Sequence, residues 1–527
     1  MTTSWQFPYP SQRMPVFARN VVATSQPLAA QAGLRMLLNG GNAVDAALAT
    51  AIALTIVEPT SNGIGSDAFA LVWDGENLHG LNGSGRSPRS WSLDHFAGLS
   101  QMPVFGWDAV TVPGAVDAWV QLSQKFGRLP FEDLFAPAIE YAQNGFVVSP
   151  ITAARWAATP KLYADFPEFG RTFLPGGRAP RAGECFSCPD QAETLKSIAA
   201  SQGESFYRGD LAQKIATCAK LDDGAMILED LATHQSQWVQ PISTEYRGVR
   251  LHQIPPNGQG LAALIALGLL RNLDLQQYPV DSADSIHLQV EAMKIALAEA
   301  YRHIAERGTM LVDPEELLTE EFLSRRAQEI RIDRAAFPES KITADQGTVY
   351  LTTADNNGML VSFIQSNYLG FGSGIVIPQT GISMQNRGYG FVLEPGHPNC
   401  VDGGKRPFHT IIPGFVTRDR QALMSFGVMG GSMQAQGHVQ MMVRIFDYSQ
   451  NPQAACDAPR WHVDENFQVA LEPGNAPDVT SDLKSRGQNI MGDPPFHLFG
   501  GAQLIYTLED GYCAASDHRK DGQAVGY

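Results

Sequence analysis

Apolar and polar positions along this chain follow two rhythms: helical spacing over much of its first two-thirds and strand-like alternation over its last third. Two helices are predicted in the first 60 residues. Ser25 can cap the first, with Pro27 in its first turn and Asn39-Gly40-Gly41 ending it; Asn42 can cap the second, which stops before Pro59. Gly-rich turns and short strands follow in SNGIGSDAFALVWDG and LHGLNGSGRSPRSW. From about 120 to 335 the pattern is mostly helical. Its clearest member is SADSIHLQVEAMKIALAEAYRHI (282–304), where Ile286, Val290, Met293 and Leu297 keep a helical period.

Beyond residue 347 the period shortens to that of strands, in TVYLTTAD, MLVSFIQS, GIVIP, GISMQN and ALMSFGVMGG. The stretch before it, DRAAFPESKITADQG (333–347), is polar and turn-rich and reads as an exposed connector. A helix-rich part, 1–347, therefore feeds a strand-rich part, 348–527, and Thr348 stands at the junction, directly after Gly347.

Composition narrows the class. The 527 residues can bury a sizeable core, only 17% are charged, and Gly (50) and Pro (33) are plentiful, which suits a large enzyme with many tight turns. A net charge of −16 argues against a nucleic-acid partner, whose phosphates need a basic footprint. The N-terminus has neither a basic nor an apolar signal region, and the longest apolar stretch, 46–57, falls short of the roughly 20 residues of a membrane span. A cytoplasmic location without membrane attachment is expected.

Three patterns suggest chemistry that their surroundings do not support. Cys185 and Cys188 form a CxxC, but no second pair completes a zinc site, so reduced thiols are expected. His287 and Glu291 lie at i and i+4 without a third ligand nearby and read as a surface or interface pair. Gly258, Gly260 and Ala263 fit a dinucleotide loop, yet Pro255 and Pro256 stand where its strand should enter. No metal and no organic cofactor is expected.

The Gly347-Thr348 step carries more. If the peptide bond before Thr348 is cut, its hydroxyl gains an α-amine with a reference pKa near 7.7–8.0, so nucleophile and base reside in one residue. Gly347 can adopt angles closed to other residues at the bond to be cut. Gly430 and Gly431, after a strand and before a predicted helix, can aim backbone N–H groups at an oxyanion.

These residues, together with ATSQPLAAQAGLRMLLNGGNAVDAALA, EPTSNGIGSDAFALV, FGSGI, KRPFHTIIP, DAPRW and SDHRKDGQAVGY, resemble the γ-glutamyltranspeptidase family of N-terminal-nucleophile hydrolases over nearly the full chain. The resemblance implies an α+β fold, a four-layer αββα sandwich. It also implies a proenzyme that cuts itself into chains 1–347 and 348–527, which stay together as one intertwined heterodimer, with a dimer of heterodimers as a further option. Thr348 matches the family's nucleophile, Ser366 its supporting threonine, and Gly430 with Gly431 its oxyanion pair.

Substrate recognition departs from the family pattern. Ser84 stands where an arginine grips the glutamyl carboxylate, with Arg86 two residues on; Gly390 replaces the aspartate that holds the α-amine. His409 and Thr410 replace a serine pair, and Tyr368, beside Asn367, replaces an asparagine. A buried ammonium without a counter-charge is costly, so glutathione should be a poor substrate. Arg86, Arg387, His409, Thr410, Asn367 and Tyr368 are expected to line a pocket for a small anionic amide without an α-amine. Oxamate, which would give oxalate and ammonia in purine breakdown, is the expected case. The alternatives are a γ-glutamyl hydrolase or transpeptidase, a cephalosporin or glutaryl acylase, and a silent scaffold with this fold.

Overall fold

Strand Val349–Ala354 and strand Leu360–Ser366 form a hairpin at the centre of the molecule, turned by Asp355, whose side chain accepts from the Asn357 N–H, and by Gly358 at φ +88°. The computed structural model of the chain describes residues 13–338 and 347–527. Of the connector predicted at 333–347, residues 339–346 lie outside the described residues.

Alternation within the hairpin builds two layers of core at once. Val349, Leu351, Val361 and Phe363 pack with the helix Ala43–Val57, whereas Tyr350, Ala354, Leu360 and Ile364 point to a second sheet. The hairpin's own sheet has seven strands, in the order Gln523–Gly526, Val21–Thr24, Val349–Ala354, Leu360–Ser366, Asp67–Trp73, Leu78–Gly83, Gln237–Val239, with every neighbour antiparallel. The second sheet runs Val16–Ala18, Gly511–Ser516, Gly501–Leu508, Gln421–Met429, Gly414–Arg418, Val249–Gln253, Ile242–Tyr246. Its outer face is covered by the helices Gly260–Leu270, Ala283–His303 and Met433–Phe446. Helix, sheet, sheet, helix is the expected four-layer α+β sandwich.

Several local expectations change. The first helix, Pro27–Leu38, is capped by the Gln26 side chain, while the Ser25 hydroxyl goes to Glu58 instead. Asn42 does cap the helix Ala43–Val57, in a reciprocal box with Asp45. The mostly helical middle also supplies five strands: Phe146–Val147 and Cys185–Phe186, which pair with each other, and Gln237–Val239, Ile242–Tyr246 and Val249–Gln253, which extend the two large sheets. His287 and Glu291 are buried, not on a surface, for the helix Ala283–His303 is covered on nearly every side. Cys185 is exposed, Cys188 is buried, and both are free thiols. Among the described residues no helix is long and apolar enough to cross a membrane.

Candidate active site

Strand register decides which polar side chains meet. Val349 lies opposite Gln365, so Thr348 comes beside Ser366, and Ser366 in turn pairs with Asp67 on the next strand. Three residues from distant parts of the sequence share one end of the sheet, and all three are buried.

The Gly347 carbonyl is their focus. Thr348 Oγ1 donates to it at 2.5 Å and Ser366 Oγ at 2.7 Å. Gly347 sits at φ +126°, and a Cβ there would stand 2.5 Å from the Tyr368 carbonyl oxygen and 2.8 Å from the Gly370 nitrogen. Backbone angle and space both demand glycine. Ser366 Oγ accepts from the Tyr368 N–H at 2.8 Å and from Arg387 Nη2 at 3.4 Å, which keeps its own proton aimed at the carbonyl. Tyr368 holds a left-handed φ of +79°, a conformation that costs of order 1–3 kcal/mol outside glycine. A carbonyl served by two hydroxyl donors, one from the adjoining residue, suits attack by that hydroxyl and an N-to-O acyl shift.

Arg387 forms the positive wall. It is fully buried, donates from Nη1 to Thr410 Oγ1 at 2.9 Å, and lies 3.9 Å over the Tyr368 ring. Asp67 accepts from the Gly85 and Gly114 N–H groups at 3.2 and 3.0 Å and faces His409 Nε2 at 3.1 Å. Burial pushes the Asp67 carboxyl up to about 7 against the pull of Arg387 and the backbone donors. Burial, then the Arg387 charge, drives His409 well below its ordinary value and keeps it neutral. Ile411 N–H donates to His409 Nδ1 at 3.4 Å, which leaves the ring proton on Nε2, facing Asp67.

The facing sheet brings the glycine pair. Strand Gln421–Met429 ends in Gly430 (φ +119°) and Gly431 (φ +56°) before the helix Met433–Phe446 begins. The Gly430 carbonyl accepts from Met433 N–H at 2.9 Å, so in the trans peptide the Gly431 N–H turns away from the helix, as an anion donor must. Gln259 Nε2 donates to the Thr410 and Gly431 carbonyls at 2.5 and 2.8 Å and ties this turn to the Arg387 wall. Gln434 Nε2 reaches Thr348 Oγ1 at 3.2 Å.

Gly347, Thr348, Ser366, Tyr368, Arg387 and Thr410 are thus in direct contact, with His409 joined through Asp67 and the glycine pair through Gln259 and Gln434. Arg86 is placed apart: 37% exposed, it pairs with Glu306 at 2.6 Å and donates to the Gly404 carbonyl. Asn367 adjoins Ser366, but its amide is taken by Ser66, Phe371 and Ser383. Two cavities of about 630 and 750 Å³ lie elsewhere, around Phe166 and Leu221 and around Gln121 and Tyr207. Sequence reasoning missed Asp67, Gln259 and Gln434. Gln259 belongs to the NGQG turn set aside as a poor nucleotide loop, and the run of glutamines in MQAQGHVQ was the available signal for Gln434.

Comparison with known proteins gives the family. Residues 29–527 match the family described as Gamma-glutamyltranspeptidase. The chain belongs to the γ-glutamyltranspeptidase family. Within it, the chain is 36% identical to the glutathione hydrolase-like YwrD proenzyme of Bacillus subtilis (strain 168), covering 96% of this chain and 98% of that one. It is 34% identical to the oxamate amidohydrolase proenzyme of Klebsiella pneumoniae, over 95% and 97%. The crystal structure of cephalosporin acylase from Bacillus halodurans superposes with a TM-score of 0.95 at 48% identity, over 100% of this chain and 99% of that one. As a γ-glutamyltranspeptidase-family member the chain is an N-terminal-nucleophile hydrolase of amide bonds, made as a proenzyme that processes itself.

Proposed function

We propose that this proenzyme cuts itself between Gly347 and Thr348 into chains 1–347 and 348–527, and that the mature enzyme hydrolyses a small amide bearing a carboxylate, oxamate first among them. The observation that carries the substrate class is Arg387, buried one hydroxyl away from the Gly347 carbonyl, through Ser366. A carboxylate held by that guanidinium lies close to the carbonyl under attack, which suits an acid whose two carbonyl carbons are adjacent.

In the cycle, the Thr348 α-amine takes the hydroxyl proton, directly or through a water, and Oγ1 attacks the amide carbon. Gly430 and Gly431 N–H groups receive the oxyanion, ammonia leaves with the proton, and water repeats the attack on the ester to release oxalate. Ser366 orients Thr348. Arg387 and Thr410 bind the carboxylate, while His409, Tyr368, Asn367 and Arg86 shape the pocket and its approach. A cephalosporin or glutaryl acylase is the second reading, favoured by the 48% identity to the cephalosporin acylase.

Intact mass under denaturing conditions, wild type beside Thr348→Ala, tests the cut. Two chains in the wild type and one in the variant are expected. A panel of oxamate, a glutaryl amide and γ-glutamyl-p-nitroanilide then tests the substrate: oxamate should be turned over fastest, and preference for either of the others would replace it.

A further inference from the structure

Gln434 is fully buried at the second position of the helix Met433–Phe446, just past the glycine pair. Its amide is oriented from one side, because Oε1 accepts the Ile412 N–H at 2.9 Å. A backbone N–H can only donate, so the oxygen must face Ile412 and the amide nitrogen must face the other way. There Nε2 meets Thr348 Oγ1 at 3.2 Å. The Thr348 hydroxyl proton is already directed to the Gly347 carbonyl at 2.5 Å, so Gln434 addresses a lone pair of the hydroxyl oxygen. Ser366 serves the carbonyl oxygen under attack; Gln434 serves the oxygen that attacks.

We propose that Gln434 is a catalytic residue whose amide N–H stabilises the Thr348 oxygen while that oxygen loses its proton. The inference rests on Thr348 being the nucleophile. Negative charge builds on Oγ1 as its proton departs and fades once the bond to the carbonyl carbon has formed. A fixed donor therefore binds the transition state more tightly than the resting hydroxyl. No proton passes through Gln434: the amide keeps both its hydrogens, the Thr348 O–H bond breaks as Oγ1 bonds to the Gly347 carbonyl carbon, and the proton ends on the Thr348 nitrogen as its bond to that carbon breaks. When the ester later collapses, Oγ1 is the leaving oxygen and meets the same donor.

The Gln434→Glu variant separates this role from a structural one. It keeps the side-chain length and an acceptor for Ile412 N–H, so a residue that merely held Ile412 would be replaced without loss. What it removes at neutral pH is the donor to Oγ1. The rate of appearance of the two chains, followed by intact mass from freshly made proenzyme at a series of pH values, reads the difference. At pH 8 cutting by the variant should be about 10- to 100-fold slower than wild type, the range for losing a hydrogen bond to a group that develops charge. The deficit should shrink as pH falls and the new carboxyl gains a proton to donate. The Gln434→Met variant, similar in size and without a donor, should be slow at every pH, with thermal unfolding of both variants confirming a folded chain. Wild-type cutting by Gln434→Glu, or a deficit equal at all pH values, would overturn the proposal. An uncut wild type would overturn the nucleophile assignment and this role together, and is told apart because it shows without any substitution.

Discussion

Two buried polar clusters of similar make-up lie in different halves of the sandwich, and they differ in what their side chains address. In the cluster on the helix Ala283–His303, Lys294 Nζ donates to Glu291, Gln488 and the Ala336 carbonyl at 2.9, 2.7 and 3.1 Å. Glu291 also accepts from Gln488 and the Ala336 N–H, and His287 is fixed between Gln488 and the Arg331 carbonyl. Every charge has its partner, and what the cluster grips is the chain at 331–336. At the sheet end, by contrast, two hydroxyls address the Gly347 carbonyl, one backed by the Arg387 guanidinium and the other met by the Gln434 amide, in a backbone conformation only glycine fits. Burial of polar groups does not distinguish the two. What the side chains address does: the first cluster closes on its own members and on the chain at 331–336, whereas two hydroxyls of the second address the carbonyl before Thr348.

The largest expected effect tests the closed cluster. Lys294→Met strands the Glu291 carboxylate and should cost about 3–5 kcal/mol of stability, as breaking a buried pair does, read as a fall in denaturant midpoint. Self-cutting, measured where the variant is still folded, should stay within about twofold, a change too small to count as a lost interaction. Slower cutting would mean that the two clusters are coupled.

Ser366→Ala tests the other cluster. Losing one of the two donors to the Gly347 carbonyl should slow cutting by about 100-fold, the lower end for removal of an oxyanion donor, with little change in unfolding midpoint. Loss of stability without loss of rate would make this cluster no different from the first.

The third expectation is a pH slope. Asp67, raised from 3.8 to about 7 in the folded chain, retains there a proton that the unfolded chain has lost in between. Its contribution to stability therefore falls as pH rises from about 4 to about 7 and levels off above. Asp67→Asn, which has no proton to lose, should lack that slope. Urea midpoints of the two proteins across pH 4–8 check this, and parallel curves would remove Asp67 from the titrating groups.

Much of the fold was legible in the chain because its signals are local. The Asn42 cap and the strand-like alternation after residue 347 depend on neighbours within a few residues, and the pairing of two of those strands sets Thr348 and Ser366 side by side. The strands Ile242–Tyr246 and Val249–Gln253 were obscured by helices on both sides, and the burial of His287 and Glu291 depends on Gln488 and Ala336, far away in sequence.

By itself the sequence determined the strands after residue 347, the glycine before Thr348 and the glycine pair before the helix, since each follows from backbone sterics and period. Only the tertiary structure decided which arginine stands behind Ser366, next to the Gly347 carbonyl. Arg86 and Arg387 are equally plausible forks as residue types, but Arg86 finds Glu306, whereas Arg387 is packed over Tyr368 between Ser366 and Thr410. It likewise decided that Asp67 and Gln434 join the site, because their neighbours there come from other strands and another layer. No local pattern encodes a contact between residues 86 positions apart, such as Gln434 and Thr348.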